Sequence, residues 1–173
     1  FNAIIRAYHK SIKFIVRCFF TNRVPDHLSS ENNMLINPVI NMSGNCEEAI
    51  HYYEGVFSTK ADFILRYSDA RPEDWKKPLT DEQKKYVYHA EMKIGNQRFM
   101  FSDIVEFEIH NGNSLFLVVI FDTKEEGQEV YNSFLPGSTI LVPMHNTTYS
   151  SCIANLVDKY GIRWGLMTEQ TER

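Results

Sequence analysis

His89 and Glu91, two residues apart, are the pair in this 173-residue sequence whose chemistry is most readable. An imidazole titrates near neutral pH, and a carboxylate beside it can fix its tautomer or hold its proton. Alternation across residues 88–94 places His89, Glu91 and Lys93 on one face of a strand, and Tyr88, Ala90, Met92 and Ile94 on the other. His89 therefore reads either as a hydrogen-bonded histidine on a half-buried strand or as a group lining a cleft. Asp103 ends a strand beside Ser102 and reads equally as a turn or cap acceptor and as a site carboxylate. His145 and Tyr149 bracket a polar loop with Asn146, Thr147 and Thr148, a composition that suits a binding loop or plain solvent exposure. Trp164 is expected in the core or a cleft wall with its indole N–H bonded, and Asp158 followed by Gly161 reads first as turn chemistry.

No Ser/His/Asp or Cys/His grouping is suggested by local sequence, so no catalytic residue is assigned. Cys18, Cys46 and Cys152 are odd in number and widely spaced, forming neither a CxxC motif nor a paired disulfide framework. They are expected to be spectator thiols in a reducing compartment, which points to the cytoplasm. With 18 basic and 22 acidic residues the net charge is −4, which argues against nucleic-acid binding through bulk charge. The length suits one domain with a real core.

The charge is unevenly placed. Residues 1–33 hold five bases and two acids and net +3, whereas the other 140 residues net −7. Within 4–20, Ile4, Ile5, Tyr8, Ile12, Ile15, Val16, Phe19 and Phe20 recur at helical steps, with Arg6, Lys10, Lys13 and Arg17 on another face. The pattern is a basic amphipathic helix, too interrupted by charge for a membrane span. An interfacial membrane helix and an organelle-type leader are its functional readings. The favoured expectation is an upstream or non-native extension, because Met34 opens a sequence that looks complete by itself. No membrane association is expected for 34–173.

From Met34 the chain reads as strand, helix and three strands, and then the same again. The strands are expected at 35–42, 61–67, 86–94 and 98–103, then at 115–121, 139–144, 152–157 and 163–168. The helices are expected near 46–57 and 124–135, each opened by a capping-box spacing, Asn45 with Glu48 and Thr123 with Glu126. A slide of 78 residues aligns Glu47 with Glu125, Glu48 with Glu126, Tyr53 with Tyr131 and Val56 with Phe134. A slide of 65 aligns Arg98 with Arg163, Phe99 with Trp164 and Phe101 with Leu166. The difference is absorbed by an insertion at 71–85, nine charges in fifteen residues with Pro72 and Pro78, which reads as a loop. Gly95-Asn96 is a hairpin signal, and Asn111-Gly112-Asn113 reads as the turn between the halves. The fold class is therefore α+β: two tandem βαβββ modules, 34–110 and 111–173, forming a curved mixed sheet around a cleft.

The stretches 45–57 (NCEEAIHYYEGVF), 88–95 (YHAEMKIG), 99–103 (FMFSD) and 157–164 (VDKYGIRW) resemble the vicinal oxygen chelate (glyoxalase/bleomycin-resistance/dioxygenase) superfamily, most specifically its PhnB-like branch. The resemblance covers nearly all of 34–173 and departs at Tyr149-Ser150, where the family often has Trp-Gly. It implies a homodimer with clefts at the junction of modules. A small-molecule ligand is expected in the cleft, with His89, Glu91, Asp103, His145, Tyr149 and Trp164 as candidate ligand-binding residues. Metal-dependent members hold a divalent ion through four side chains from the first and last strands of each module. Those positions fall near Pro38, Met100, Phe116 and Gly165, none of them an oxygen or nitrogen donor. No metal site and no other cofactor is therefore expected. Two alternatives stand beside this reading. One is a metal-dependent lyase, isomerase or dioxygenase with displaced ligands such as His89, Asp103 or His145. The other is the 3-demethylubiquinone methyltransferase label that members carry, against which this sequence shows no Gly-rich loop opening a helix after a strand.

Overall fold

In a computed structural model, the structure describes residues 34–75 and 77–169. The helix expected within 4–20 lies outside the described residues. The first module runs β1 (Val39–Met42), α1 (Cys46–Phe57), β2 (Ala61–Arg66), β3 (Val87–Ile94) and β4 (Gln97–Asp103). The second repeats the order with β5 (Leu117–Phe121), α2 (Lys124–Phe134), β6 (Thr139–His145), β7 (Ile153–Val157) and β8 (Arg163–Thr168). Each module forms a four-stranded mixed sheet, ordered β1-β4-β3-β2 and β5-β8-β7-β6, with β1 parallel to β4 and β5 parallel to β8. The fold is α+β, two tandem βαβββ modules, as the sequence pattern predicts. Gly95-Asn96 makes the two-residue turn between β3 and β4, and the charged insertion is a loop holding the short 3-10 turns Pro72–Asp74 and Gln83–Lys85.

The register extends the repeat to the side chains. Lys93 pairs with Arg98, and Glu91 with Met100; Val157 pairs with Arg163, and Asn155 with Gly165. Arg98 thus corresponds to Arg163, Met100 to Gly165, Glu91 to Asn155 and Ala90 to Ala154. The helix starts differ in how they are capped. Thr123 and Glu126 form the expected capping box. Asn45 makes no side-chain cap bond; Glu48 instead reaches the second module, accepting from Tyr160 Oη at 2.8 Å and Lys159 Nζ at 3.0 Å. The start of α1 is held by Asp103, as shown below.

One core serves both modules. Ala49, Ile50 and Tyr53 of α1 and Phe134 of α2 are buried with Phe101, Leu156 and Leu166 from the facing sheets. Burying a side chain of this size contributes about 1.5–3 kcal/mol. Trp164, fully buried, is where the modules meet. Its ring centroid lies 5.2 Å from Phe57, 5.5 Å from Phe134, 5.7 Å from Tyr53 and 6.2 Å from Phe99. The core therefore lies on the helix side of both sheets, and the opposite face of each sheet is open. Val39, Phe63, Val118, Ile120 and Leu141 on those open faces are 41–54% exposed, far more than core packing allows. Among the described residues no helix is long and apolar enough to cross a membrane.

Candidate functional site

Strand alternation divides the expected site residues between two environments. His89 and Glu91 both point to the open face of the first sheet, with side chains 35% and 20% exposed. His89 Nε2 lies 3.2 Å from Glu91 Oε1, and the His89 ring sits 5.6 Å from that of Phe63 on β2. Glu91 Oε2 in turn faces Arg98 Nη1 at 3.5 Å, across the Gly95-Asn96 hairpin. The result is a row, Arg98–Glu91–His89, in which a cation holds a carboxylate and the carboxylate orients an imidazole. Such an imidazole can take a proton from, or give one to, a polar group placed on the open face. Beside the row, Ser102 Oγ donates to Asn41 Oδ1 at 3.0 Å on the same face.

Asp103 and Trp164 point the other way. Asp103 is buried, and its Oδ1 accepts from the amides of Gly44 at 2.6 Å and Cys46 at 3.1 Å, while Oδ2 accepts from the amide of Val87 at 3.0 Å. One carboxylate thus caps α1 and fixes the start of β3. Burial pushes its carboxyl above the usual range against the lowering effect of those backbone donors. The close approach requires Gly44, whose φ is +91° and where a Cβ would lie 2.7 Å from the Tyr86 ring. The second module uses the same device with a hydroxyl: Thr168, the counterpart of Asp103, accepts from the amide of Ser151 at 3.0 Å, as Asp103 does from Val87. This shared role is that of a structural clamp.

Trp164 Nε1 donates to Asp158 Oδ2 at 2.8 Å, and Tyr53 Oη donates to the same oxygen at 2.7 Å. Asp158 Oδ1 accepts from the amides of Tyr160 at 2.9 Å and Ile162 at 3.0 Å, the turn role read from the sequence. Burial, and then the charge of Asp158, push the Tyr53 hydroxyl far above its ordinary range. The turn needs Gly161, with φ +83°, because a Cβ there would lie 2.1 Å from Asn111 Nδ2. Asp158 therefore ties α1 of one module to β8 of the other.

His145 and Tyr149 lie in the second module, exposed; His145 Nδ1 bonds the Pro143 carbonyl at 2.8 Å, and the Tyr149 amide donates to Thr147 Oγ1 at 3.4 Å. Among the described residues no hydrogen bond joins either of them to the other candidates. The structure thus brings together His89 and Glu91 and adds Arg98, which sequence reading missed. Counting across the hairpin would have found it. Arg163 was also missed. Its guanidinium lies 4.8 Å from the Phe116 centroid and lines a pocket of about 390 Å³ between β1, the connection between the modules and β8. Cys46 is buried, and burial raises its thiol well above the usual range, the opposite of an activated nucleophile.

The superfamily's metal positions meet no better donor set in three dimensions. The Met100 amide donates to the Pro38 carbonyl at 3.0 Å and Gly165 pairs with Val118, leaving only a thioether side chain as a donor there. Among the described residues no three His, Cys, Asp or Glu side chains cluster closely enough to share an ion. The residues at those positions do not fit a divalent ion.

No protein-family model matches the chain. Protein YjdN of Escherichia coli is 21% identical over 141 residues, covering 76% of this chain and 92% of YjdN. Among solved structures, protein PA1353 from Pseudomonas aeruginosa matches with a TM-score of 0.69 at 22% identity, over 80% of this chain and 99% of that one. A PhnB protein from Bacillus cereus, described as a putative 3-demethylubiquinone-9 3-methyltransferase, matches with a TM-score of 0.61 at 27% identity, over 78% and 99%. The chain has the vicinal oxygen chelate fold, shared with glyoxalase/bleomycin resistance family enzymes and with FosX fosfomycin resistance proteins. Within that superfamily its likeness is to the PhnB-like branch.

Proposed function

We propose that this protein binds a small organic molecule across its open sheet faces, without the divalent ion of the metal-dependent superfamily members. The observation that carries the reading is the Arg98–Glu91–His89 row, a set of polar groups joined to one another on a sheet face that the core leaves uncovered. Arg98 already balances the Glu91 charge that a metal would otherwise neutralise. The bound molecule would meet His89 as an oriented donor or acceptor, beside Asn41, Ser102 and the flat edge of Phe63.

A second copy of the chain closes the site. One sheet offers His89, Glu91 and Arg98, and the other offers Val118, Ile120 and Leu141. A two-fold axis laying the first sheet of each copy over the second sheet of its partner would cover both kinds of face twice. Two free buried thiols, Cys46 and Cys152, agree with a cytoplasmic setting. A nucleotide-type cofactor finds no cradle at the turn from β1 to α1, because Asp103 already takes the amides of Gly44 and Cys46. That is why the methyltransferase description of the Bacillus cereus protein is not carried over.

Elemental analysis of untagged protein, before and after EDTA, tests the metal-free reading. It predicts substoichiometric Zn, Ni, Mn and Fe and an unchanged melting temperature. A stoichiometric ion whose removal lowers the melting temperature would overturn it.

A further inference from the structure

The duplication allows one arginine to be compared with its own counterpart. Arg98, on the open face of the first sheet, has Glu91 within 3.5 Å. Its counterpart in the second module is Arg163, and the counterpart of Glu91 is Asn155. The second module has the same cation but a neutral amide where the first has a carboxylate. Arg163 makes no ion pair with any described residue; its guanidinium lies over the Phe116 ring instead. Its Nε is shielded from solvent and has no acceptor among the described residues. A shielded donor on a cation is costly to leave unmatched, and native proteins leave few of them.

The surroundings give the missing acceptor a shape. The contact with Phe116 uses the π-face of the ring and no hydrogen-bond acceptor, so the guanidinium keeps N–H groups for hydrogen bonds, and a planar carboxylate matches their fork. Two residues along β8, Gly165 lets Asn155 and Val118 close in over the strand: a Cβ there would press to 3.2 Å from Asn155 Oδ1 and 3.3 Å from Val118. The pocket of about 390 Å³ that Arg163 lines is walled by Val39, Leu115, Leu117 and Ile162, with Asn41 among its polar groups. It is an apolar space with one uncompensated cation, in a chain of net charge −4.

On the reading that the open faces line a ligand cleft, we propose that Arg163 is its anion seat, binding the carboxylate of a small ligand whose apolar body lies along Val39, Leu115 and Leu117. Arg163 and Arg98 then do different work from equivalent positions. Arg98 is spent on orienting Glu91 and His89, and Arg163 faces the ligand.

Hexanoate and hexanol, alike in chain length and different in charge, are the probes. In 15N-labelled full-length protein, hexanoate should shift the Arg163 Nε–H resonance saturably, and hexanol should not. The dissociation constant for hexanoate should rise about tenfold or more in Arg163→Met, the loss expected for a charged hydrogen-bonded pair. Arg163→Lys, which keeps the charge without the fork, should fall between the two. A melting curve confirms that each variant is folded, and the two variants guard against loss of either one. If hexanoate and hexanol bind equally well, or Arg163→Met leaves hexanoate affinity unchanged, Arg163 is not an anion seat, although shifts at Val118 or Met167 would keep the ligand cleft. If neither probe moves any open-face resonance, the cleft reading falls too. If Arg163→Met instead turns a dimer into monomers without altering a hexanoate response, Arg163 pairs with a partner carboxylate and the proposal is overturned.

Discussion

Replacing Tyr53 by phenylalanine removes one oxygen from the contact that ties the two modules together. Tyr53 Oη donates to Asp158 Oδ2 at 2.7 Å, and Trp164 Nε1 reaches the same oxygen at 2.8 Å. The variant therefore leaves Asp158 with a donor on each oxygen, and the cost is that of one hydrogen bond to a charged group, about 1.5–3 kcal/mol. Had Trp164 not been there, the carboxylate oxygen would be stranded and the penalty larger. For a domain of this size the midpoint should fall by roughly 3–12 °C. The repeat supplies a matched control. Tyr131 stands at the equivalent position of α2, half-buried, and its hydroxyl makes no hydrogen bond among the described residues, so Tyr131→Phe should stay within about 0.5 kcal/mol. Urea unfolding followed by far-UV circular dichroism measures both. Tyr53→Phe and Tyr131→Phe with equal effects, or Tyr53→Phe below about 0.5 kcal/mol, would refute the idea that Asp158 couples the modules.

Three further outcomes follow from the geometry. His89→Ala should change stability by less than about 1 kcal/mol, because its ring is partly exposed on the open face, yet weaken a ligand bound there by about 1–3 kcal/mol; a large drop in melting temperature would make His89 scaffold instead. Asp103→Ala should cost about 3 kcal/mol or more, because it leaves the amides of Gly44, Cys46 and Val87 without their acceptor, and a near-neutral effect in thermal unfolding would contradict the clamp. Glu54 accepts from the Ala61 amide and from Lys60, which lower its carboxyl from 4.5 to about 2, so its stabilisation is full above pH 4.5 and is lost as pH falls through about 2. Acid titration of Glu54→Gln should show a shallower stability loss in that window; an unchanged acid limb would contradict it.

The parts legible in the sequence are those set by local periodicity. The helix stripes placed α1 at its observed bounds and α2 within a residue, and β8 matches the expected 163–168. The first strand was expected at 35–42 but begins at Val39, because pairing with β4 starts at Val39 opposite Met100, and apolarity before that point carries no register. Side-chain partnerships across long separations left no local signal. The local sequence around Asp103 suits a turn and a site equally; its three amide donors, two of them 57 and 59 residues away, make it the clamp. The turn at Asp158 was readable, but its bond to Tyr53, 105 residues distant, was not. The Asn45–Glu48 box failed for the same reason: Glu48 found Tyr160 and Lys159, more than a hundred residues on. His89 with Glu91 was readable because two residues on one strand share a face whatever the rest of the chain does. Their third member, Arg98, required the hairpin register, and Arg163 required both the register and the comparison of modules.

The claim on which the functional account turns is that the open sheet faces are a working surface closed by a second copy of the chain. Sedimentation equilibrium at tens of micromolar (an order-of-magnitude concentration for a specific interface) tests it most directly, with Ile120→Glu as the comparison. Ile120 is 53% exposed on the open face of the second sheet, so a charge there should leave the fold unchanged. The account predicts a dimer for the parent chain and a monomer for Ile120→Glu with the same melting behaviour at low concentration. A parent chain that is monomeric throughout, or an Ile120→Glu variant that remains dimeric, would contradict it.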